Sequence, residues 1–474
     1  MSTLICPVAA RAAKGPNDLA IWSPEKYISY AEWHKGACAL TELLSKQGVT
    51  SGSRIAFSFP LKPGLLTTLV SLFRIGAVAF PVDRAFPTPY RNDLHRRLGC
   101  DLDIATNDEP PKERSDAERA IVPMPAERDP ERYTWPLEGP ATAVLTSGSS
   151  GDPKIALLSL ANHLAAARAA NGNIPLGPED TWLLSLPMHH VAGCGILFRC
   201  LLAGARIALP GHLPLREAIV QSSATHVSLV ARQLAQLMDA GPVPPLKAIL
   251  LGGSAIPGPL LDRAFDAGLP IHTSYGMTEM ATQVTATPPG ASREMLDTAG
   301  WPLAPGTIRI GAGGRIEVNG PARFLGYWED GALLEPFDDE GWFTTGDIGY
   351  LNDSGCLHVT GRADNMFAAG GENIQPESIE RALLRVPGIT QAIVVPVPHP
   401  EFGATPVAFV ECAGILDAGA IRGALSGILP RFMVPQYVLP WPSDVTGESM
   451  KINRRALIEE ARRQIAGEQR DRSD

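Results

Sequence analysis

No basic excess, no paired cysteines and no unbroken apolar run mark this chain of 474 residues. Its 41 lysines and arginines are outnumbered by 50 aspartates and glutamates, and a formal charge of −9 argues against nucleic acid as a partner, since phosphate binding needs the opposite sign. The seven cysteines, Cys6, Cys38, Cys100, Cys194, Cys200, Cys356 and Cys412, are odd in number, scattered, and never spaced as C-x-x-C. That speaks against a disulfide framework or a zinc site. The most apolar stretch, 182–210, is interrupted by His189, His190 and Arg199, and the opening MSTLICPVAARAAKG has too short an apolar run for a secretory signal. A soluble, cytoplasmic protein without stable membrane insertion is expected. There is no internal repeat.

What is present is the raw material of a loop-rich globular enzyme or binder. The chain is 45% hydrophobic and carries 46 glycines and 43 prolines, well above the roughly 12% that these two residues usually contribute together. At about 100–200 residues per domain, the length predicts about two to four domains. Periodicity over 29–106 reads as helix, strand, helix, strand, helix, strand; a charged run over 108–132 reads as a solvated connection. A second alternation over 205–273 places strands about 20 residues apart, which implies parallel pairing with helices on both faces. Open sheets of this kind bind ligands at the carboxyl ends of their strands, so the loops after Leu145, Leu251 and Thr273 are the places to look. Residues 306–361 read as short antiparallel strands. After Arg362 the pattern restarts as a separate α+β lobe, with a hinge near 361–365.

Each of the three loops has unusual chemistry. Thr146-Ser147-Gly148-Ser149-Ser150-Gly151-Asp152-Pro153-Lys154 combines small residues that let backbone N–H groups approach a phosphate, hydroxyls, and a lysine. It is no Walker A loop, because Pro153 precedes the lysine and Ile155 follows it; a flexible surface loop is the plain alternative. Gly252-Gly253-Ser254 permits close backbone approach to a flat ligand, though two glycines at a strand end also make a simple turn. Ser274-Tyr275-Gly276-Met277-Thr278-Glu279 offers an aromatic face for a purine and hard oxygens for Mg²⁺, or else a capped helix start. Thr345-Gly346-Asp347 and Gly361-Arg362-Ala363-Asp364 suit ribose hydroxyls and phosphate, or a surface ion pair.

In order along the chain, TSGSSGDPK, LLGGSAI, SYGMTE, TTGD, GRADNMFAAGGENI and Lys451 before a final helix resemble the adenylate-forming family of acyl-CoA synthetases, carrier-protein adenylation domains and luciferases. The resemblance covers about 20–460. It implies an α/β fold: a large N-terminal domain, 1–361, with two βα-layered sheets and a small β-barrel-like subdomain, binding the acid and ATP, and a small mobile α+β C-terminal domain, 362–474, turning about Asp364. It implies ATP, Mg²⁺ and coenzyme A as the small molecules handled, with a carboxylic acid as substrate and a homodimer as an allowed assembly. By similarity, 146–154 closes over the β- and γ-phosphates; Gly252, Gly253, Ser254, Ser274, Tyr275 and Gly276 line the adenine side; Asp347 and Arg362 hold the ribose. Thr278 meets phosphate, Glu279 meets Mg²⁺, and Lys451 bridges the attacking carboxylate and the nucleotide. Gly370 and Gly371 line the thiol tunnel. Asn365 stands where the family often has a second aspartate.

The segment Leu186 to Arg199, with His190-Val-x-Gly-x-Gly and a following arginine, looks like the 2-succinylbenzoate-CoA ligases of menaquinone synthesis. Arg199 is suited to a second carboxylate on the acid, directly or through water, and equally to a structural pairing on its helix. His190 and Thr282 are the other acyl-site candidates, and Ala192 stands where that subgroup leads one to expect serine. Another aryl- or acyl-CoA ligase and a freestanding adenylation domain are the alternatives within enzymology; a catalytically silent nucleotide sensor is the alternative outside it.

Overall fold

The computed structural model describes residues 2–105, 129–146, 153–304, 306–369, 372–399, 402–412, 414, 416–442 and 454–471. They form two compact units: Met1–Gly252 with Gly268–Ile308 and Val318–Phe343 in one, and Gly253–Ala267, Arg309–Glu317 and Thr344–Asp474 in the other.

The first unit is built on two large sheets. A nine-stranded sheet has a parallel centre: Leu19–Trp22, Arg206–Ala208, Thr181–Leu183, His226–Leu229, Ala248–Leu251 and Ile271–Met277 are neighbours in that order. A seven-stranded sheet holds Leu102–Ala105, Arg54–Ser58, Val78–Pro81 and Thr142–Thr146 in parallel, then turns antiparallel through Lys154–Leu158 and Gly326–Glu329. The βα alternation expected over 29–106 and 205–273 is therefore present. Two helices of this unit start at a capping box that takes up free backbone donors: Ser29 and Glu32 ahead of Tyr30–Lys46, and Ser159 and Asn162 ahead of Leu160–Asn173.

Periodicity gives no sign of helix Val191–Ala203, which is apolar on nearly every side. Val191–Ala203 is buried at ten positions and carries no amphipathic signal to read. With its flanking strands it accounts for the apolar stretch 182–210, and among the described residues no helix is long and apolar enough to cross a membrane. Phe198 of this helix stacks on Phe73 at 5.7 Å and on the imidazole of His163 at 4.4 Å, joining the helices between the sheets into one core with Trp33, Trp135 and Trp182.

Strands Ile308–Ile310, Arg315–Val318, Phe343–Leu351 and Leu357–Arg362, most of whose residues belong to the second unit, form a four-stranded sheet with a hairpin turn at Asn352–Gly355. A long hairpin of Ile389–His399 and Gly403–Cys412 pairs with Tyr437–Pro440 and packs against Pro376–Leu383, Ala418–Ser426 and Arg454–Asp471.

Candidate active site

Two of the three loops singled out by sequence leave adjacent parallel strands, because Leu251 pairs with Thr273. The hydroxyl of Ser274 donates to the Leu251 carbonyl at 2.8 Å, and a Cβ on Gly252 would sit 2.9 Å from that hydroxyl oxygen. A side chain there would displace the Ser274 hydroxyl from this bond. The third strand does not end at Thr273: it runs on to Met277, pairs antiparallel with Thr282–Ala286, and shifts register between Tyr275 and Gly276. A Cβ on Gly276 would lie 2.1 Å from the Thr282 carbonyl oxygen, so only glycine lets the two strands close at that point. The hairpin turns through a single 3₁₀ turn, Thr278–Met280, and leaves it through Ala281 in the left-handed region at φ 56°. Thr278 and Glu279 therefore sit at the tip of a β-hairpin, where a helix start was the alternative. Tyr275 is buried beneath them, its hydroxyl 3.8 Å from the Met277 sulfur.

The strands flanking the phosphate-type loop also pair as a hairpin. Strand Thr142–Thr146 runs antiparallel to Lys154–Leu158 with Thr146 opposite Lys154, so the segment between them returns as a strand where a Walker A loop would enter a helix. Ser147, Gly148, Ser149, Ser150 and Gly151 lie outside the described residues. Lys154 is described: its ammonium stands 4.8 Å over the ring of Tyr327. The hydroxyl of Tyr327 donates to Oε1 of Glu279 at 2.6 Å, the length of a charge-assisted O–H···O⁻ bond. The backbone seconds this link, since the N–H of Phe324 donates to the Glu279 carbonyl at 2.8 Å. Lys154, Tyr327 and Glu279 come from separate parts of the chain and meet at one place. Sequence reasoning missed Tyr327, for nothing local ties an aromatic of a short strand to a carboxylate 48 positions earlier.

The three acyl-site candidates cluster around helix Val191–Ala203. His190 caps it with extended backbone and packs its ring 4.5 Å from that of His189. Thr282 fits the notch left by Gly195, where a Cβ would lie 2.3 Å from the Thr282 methyl. Arg199 is turned inward. Its Nε donates to Asn171 Oδ1 at 3.0 Å, one terminal nitrogen to Gln283 Oε1 at 3.0 Å, and the other to the carbonyls of Ala170 and Ile174 at 3.2 and 3.4 Å. The guanidinium also lies 4.1 Å over the indole of Trp182. Burial pulls its pKa down to about 9, which leaves it cationic at neutral pH. Of the two sequence readings, the structural pairing describes these contacts, and Gln283 is the partner lying next to Thr282. Nearby, a cleft of about 200 Å³ is lined by Phe57, Leu65, Pro81, Asp83, Met188 and His189. His189 lies 3.6 Å from Asp83, and burial lowers its pKa despite that carboxylate.

The second unit carries the ribose and hinge candidates. Asp347 and Arg362 are cross-strand partners joined at 3.2 Å, and the same guanidinium reaches Asp364 at 3.1 Å. A Cβ on Gly346 would strike that guanidinium. Asn365 donates to Glu377 Oε1 at 2.5 Å, and an aspartate there would instead repel the carboxylate. Gly253 and Ser254 belong to this unit. Lys451, Gly370 and Gly371 lie outside the described residues.

A model of the AMP-binding enzyme family matches residues 8–328, and one of the AMP-binding enzyme C-terminal domain matches 378–445. This chain belongs to the AMP-binding enzymes. The 2-succinylbenzoate–CoA ligase of Salmonella typhimurium is 37% identical over 415 residues, 87% of this chain and 88% of that protein. A structure of o-succinylbenzoate CoA synthetase (MenE) from Bacillus subtilis with the acyl-adenylate intermediate OSB-AMP is 26% identical, with a TM-score of 0.85 over 96% of this chain and 98% of that one. The same B. subtilis enzyme with ATP and magnesium ion has a TM-score of 0.82 at 26% identity, over 93% and 96% of the two chains.

The donor set of this AMP-binding enzyme fits Mg²⁺ in the manner of nucleotide enzymes. Among the described residues no group of three or more histidines, cysteines or carboxylates is placed to hold a metal. One carboxylate with a neighbouring hydroxyl, Glu279 and Thr278, suits an ion that keeps several waters and takes its remaining oxygens from phosphate.

Proposed function

We propose that this AMP-binding enzyme joins 2-succinylbenzoate to coenzyme A, the step of menaquinone biosynthesis that yields 2-succinylbenzoyl-CoA, AMP and pyrophosphate. In the first half-reaction a carboxylate oxygen of the acid attacks the α-phosphorus of ATP in line, and pyrophosphate leaves with the electrons of the broken P–O bond. In the second the thiolate of coenzyme A attacks the acyl carbon and AMP leaves. Attack of an anion on a polyanion asks the protein for positive charge and alignment more than for a nucleophile of its own.

The observation that carries this reading is the near full-length likeness to 2-succinylbenzoate–CoA ligases, together with a lysine and a carboxylate gathered on either side of Tyr327. In this proposal 146–154 cradles the outer phosphates; Gly252 to Ser254 and Ser274 to Gly276 hold adenine; Asp347 and Arg362 hold ribose. Glu279 and Thr278 receive Mg²⁺ and phosphate, and the ion when bound neutralises the triphosphate. Lys451 supplies the cation between carboxylate and nucleotide, then withdraws as residues 362–474 turn about Asp364 and Gly370-Gly371 line the thiol path. His190 and Thr282 border the acyl group, and Arg199 acts on its second carboxylate through Gln283 or a bridging water.

ATP–pyrophosphate exchange with a panel of acids, followed by coenzyme A consumption, tests the assignment. Exchange is expected with 2-succinylbenzoate far above benzoate or a medium-chain fatty acid. Preference for either of those acids rejects it.

A further inference from the structure

Lys154 and Glu279 are opposite charges held against the same tyrosine: the lysine lies over its ring and the carboxylate accepts from its hydroxyl, and the two do not pair with each other. The sheet explains the arrangement. Tyr327 pairs with Ala156, so Lys154, two residues earlier on the same strand, projects from the same face as its diagonal neighbour, within reach of a long side chain. The ring is itself held by Phe324 at 4.8 Å and Phe343 at 6.3 Å, and both Tyr327 and Glu279 are buried. A buried carboxylate needs hydrogen-bond donors, and a direct lysine partner would satisfy it at the cost of occupying both groups. Tyr327 satisfies one oxygen with a neutral donor and offers the lysine a π face, so neither Glu279 nor Lys154 is taken up by the other.

We propose that Tyr327 is a positioning residue for adenylation: its hydroxyl fixes the Glu279 carboxylate in the orientation that receives the divalent ion of ATP, and its ring holds the Lys154 ammonium over its face until the triphosphate arrives. This rests on Glu279 being the metal-facing residue, as in the function proposed above.

The test uses Tyr327→Phe, which keeps the ring and removes only the hydroxyl, beside Glu279→Gln and Tyr327→Leu. Mn²⁺ binding to the full chain in the presence of α,β-methylene-ATP is followed by electron paramagnetic resonance, and thermal melting checks folding. Tyr327→Phe is expected to weaken Mn²⁺ binding roughly tenfold, the scale of one lost hydrogen bond to a charged group, with the melting temperature held. Tyr327→Leu is expected to weaken nucleotide binding further, and Lys154→Ala to cost less in that background than in the wild type. Wild-type Mn²⁺ affinity in Tyr327→Phe, with a weakened Glu279→Gln, overturns the positioning role and leaves the metal assignment standing. A Glu279→Gln that binds Mn²⁺ normally overturns the metal assignment itself. If Tyr327→Phe melts early, rescue of Mn²⁺ affinity by a Tyr327→His donor decides the matter, and no rescue overturns the proposal.

Discussion

Arg199 shows how one side chain can be half legible. Its charge near an acyl segment was evident from sequence, but its four hydrogen-bond acceptors come from residues 170, 171, 174 and 283, which no local pattern connects. Removing the guanidinium leaves Asn171 Oδ1, Gln283 Oε1 and the Ile174 carbonyl short of a donor, while the Ala170 carbonyl keeps the Ile174 N–H, so Arg199→Met is expected to cost about 2–4 kcal/mol of stability by urea denaturation. Gln283→Ala is expected to be milder in stability, about 1 kcal/mol, while raising the KM for 2-succinylbenzoate several-fold and leaving that for ATP unchanged. Equal change in both KM values would count against Gln283 as the link between Arg199 and the acid. For Lys451, Lys451→Ala is expected to abolish pyrophosphate exchange and to leave coenzyme A transfer from supplied acyl-adenylate largely intact. Parallel loss of both half-reactions would contradict a lysine that serves one of them.

At the scale of elements, the hairpin that carries Thr278 and Glu279 depends on a close approach of two backbones. Gly276→Ala would put its methyl 2.1 Å from the Thr282 carbonyl oxygen, so the strands must part and the tip must move. Loss of about 2 kcal/mol or more in stability, with exchange activity falling at least a hundredfold, is expected from denaturation and from pyrophosphate exchange. In the second unit the start of helix Arg454–Asp471 is pinned by one guanidinium. Arg454 pairs with Glu380 at 2.8 Å and Glu377 at 3.4 Å and donates to the Val394 carbonyl. Burial raises the pKa of Glu380 even with that partner, so Arg454→Met is expected to leave two carboxylates facing each other and to loosen the helix. Hydrogen exchange should show residues 454–465 opening earlier than in the wild type. Unchanged protection there would mean the apolar contacts of Leu457 and Ala461 hold the helix by themselves.

For the whole molecule, buried histidines set the response to acid. Burial lowers the pKa of His163 to about 3 and that of His226 to about 4. In the unfolded chain both titrate near 6.5, so from that pH downward the unfolded state binds more protons and stability falls with falling pH, by at most about 1.4 kcal/mol per pH unit for each histidine. The loss ends once the folded histidines titrate too. Glu380 works the other way, its raised pKa favouring the folded state on acidification. Urea midpoints at pH 7, 6 and 5 are expected to decline, and His163→Gln, where the imidazole stacks on Phe198 and bonds Thr142 at 2.7 Å, to flatten that decline. An unaltered slope in the variant would assign the acid sensitivity elsewhere.

The alternation of strands and helices, the glycine-bearing loops and the family itself were determined by sequence, because they rest on local periodicity and on short motifs whose residues act where they stand. Thr146, Gly252, Ser274 and Glu279 were named on that basis. Only tertiary structure decided that the strands flanking the phosphate-type loop pair antiparallel, that Thr278 and Glu279 ride a strand tip, that Arg199 turns inward, and that Tyr327 stands between Lys154 and Glu279. Each of these depends on strand pairing across long separations, which sequence pattern leaves open and which burial of two broad apolar sheets settles.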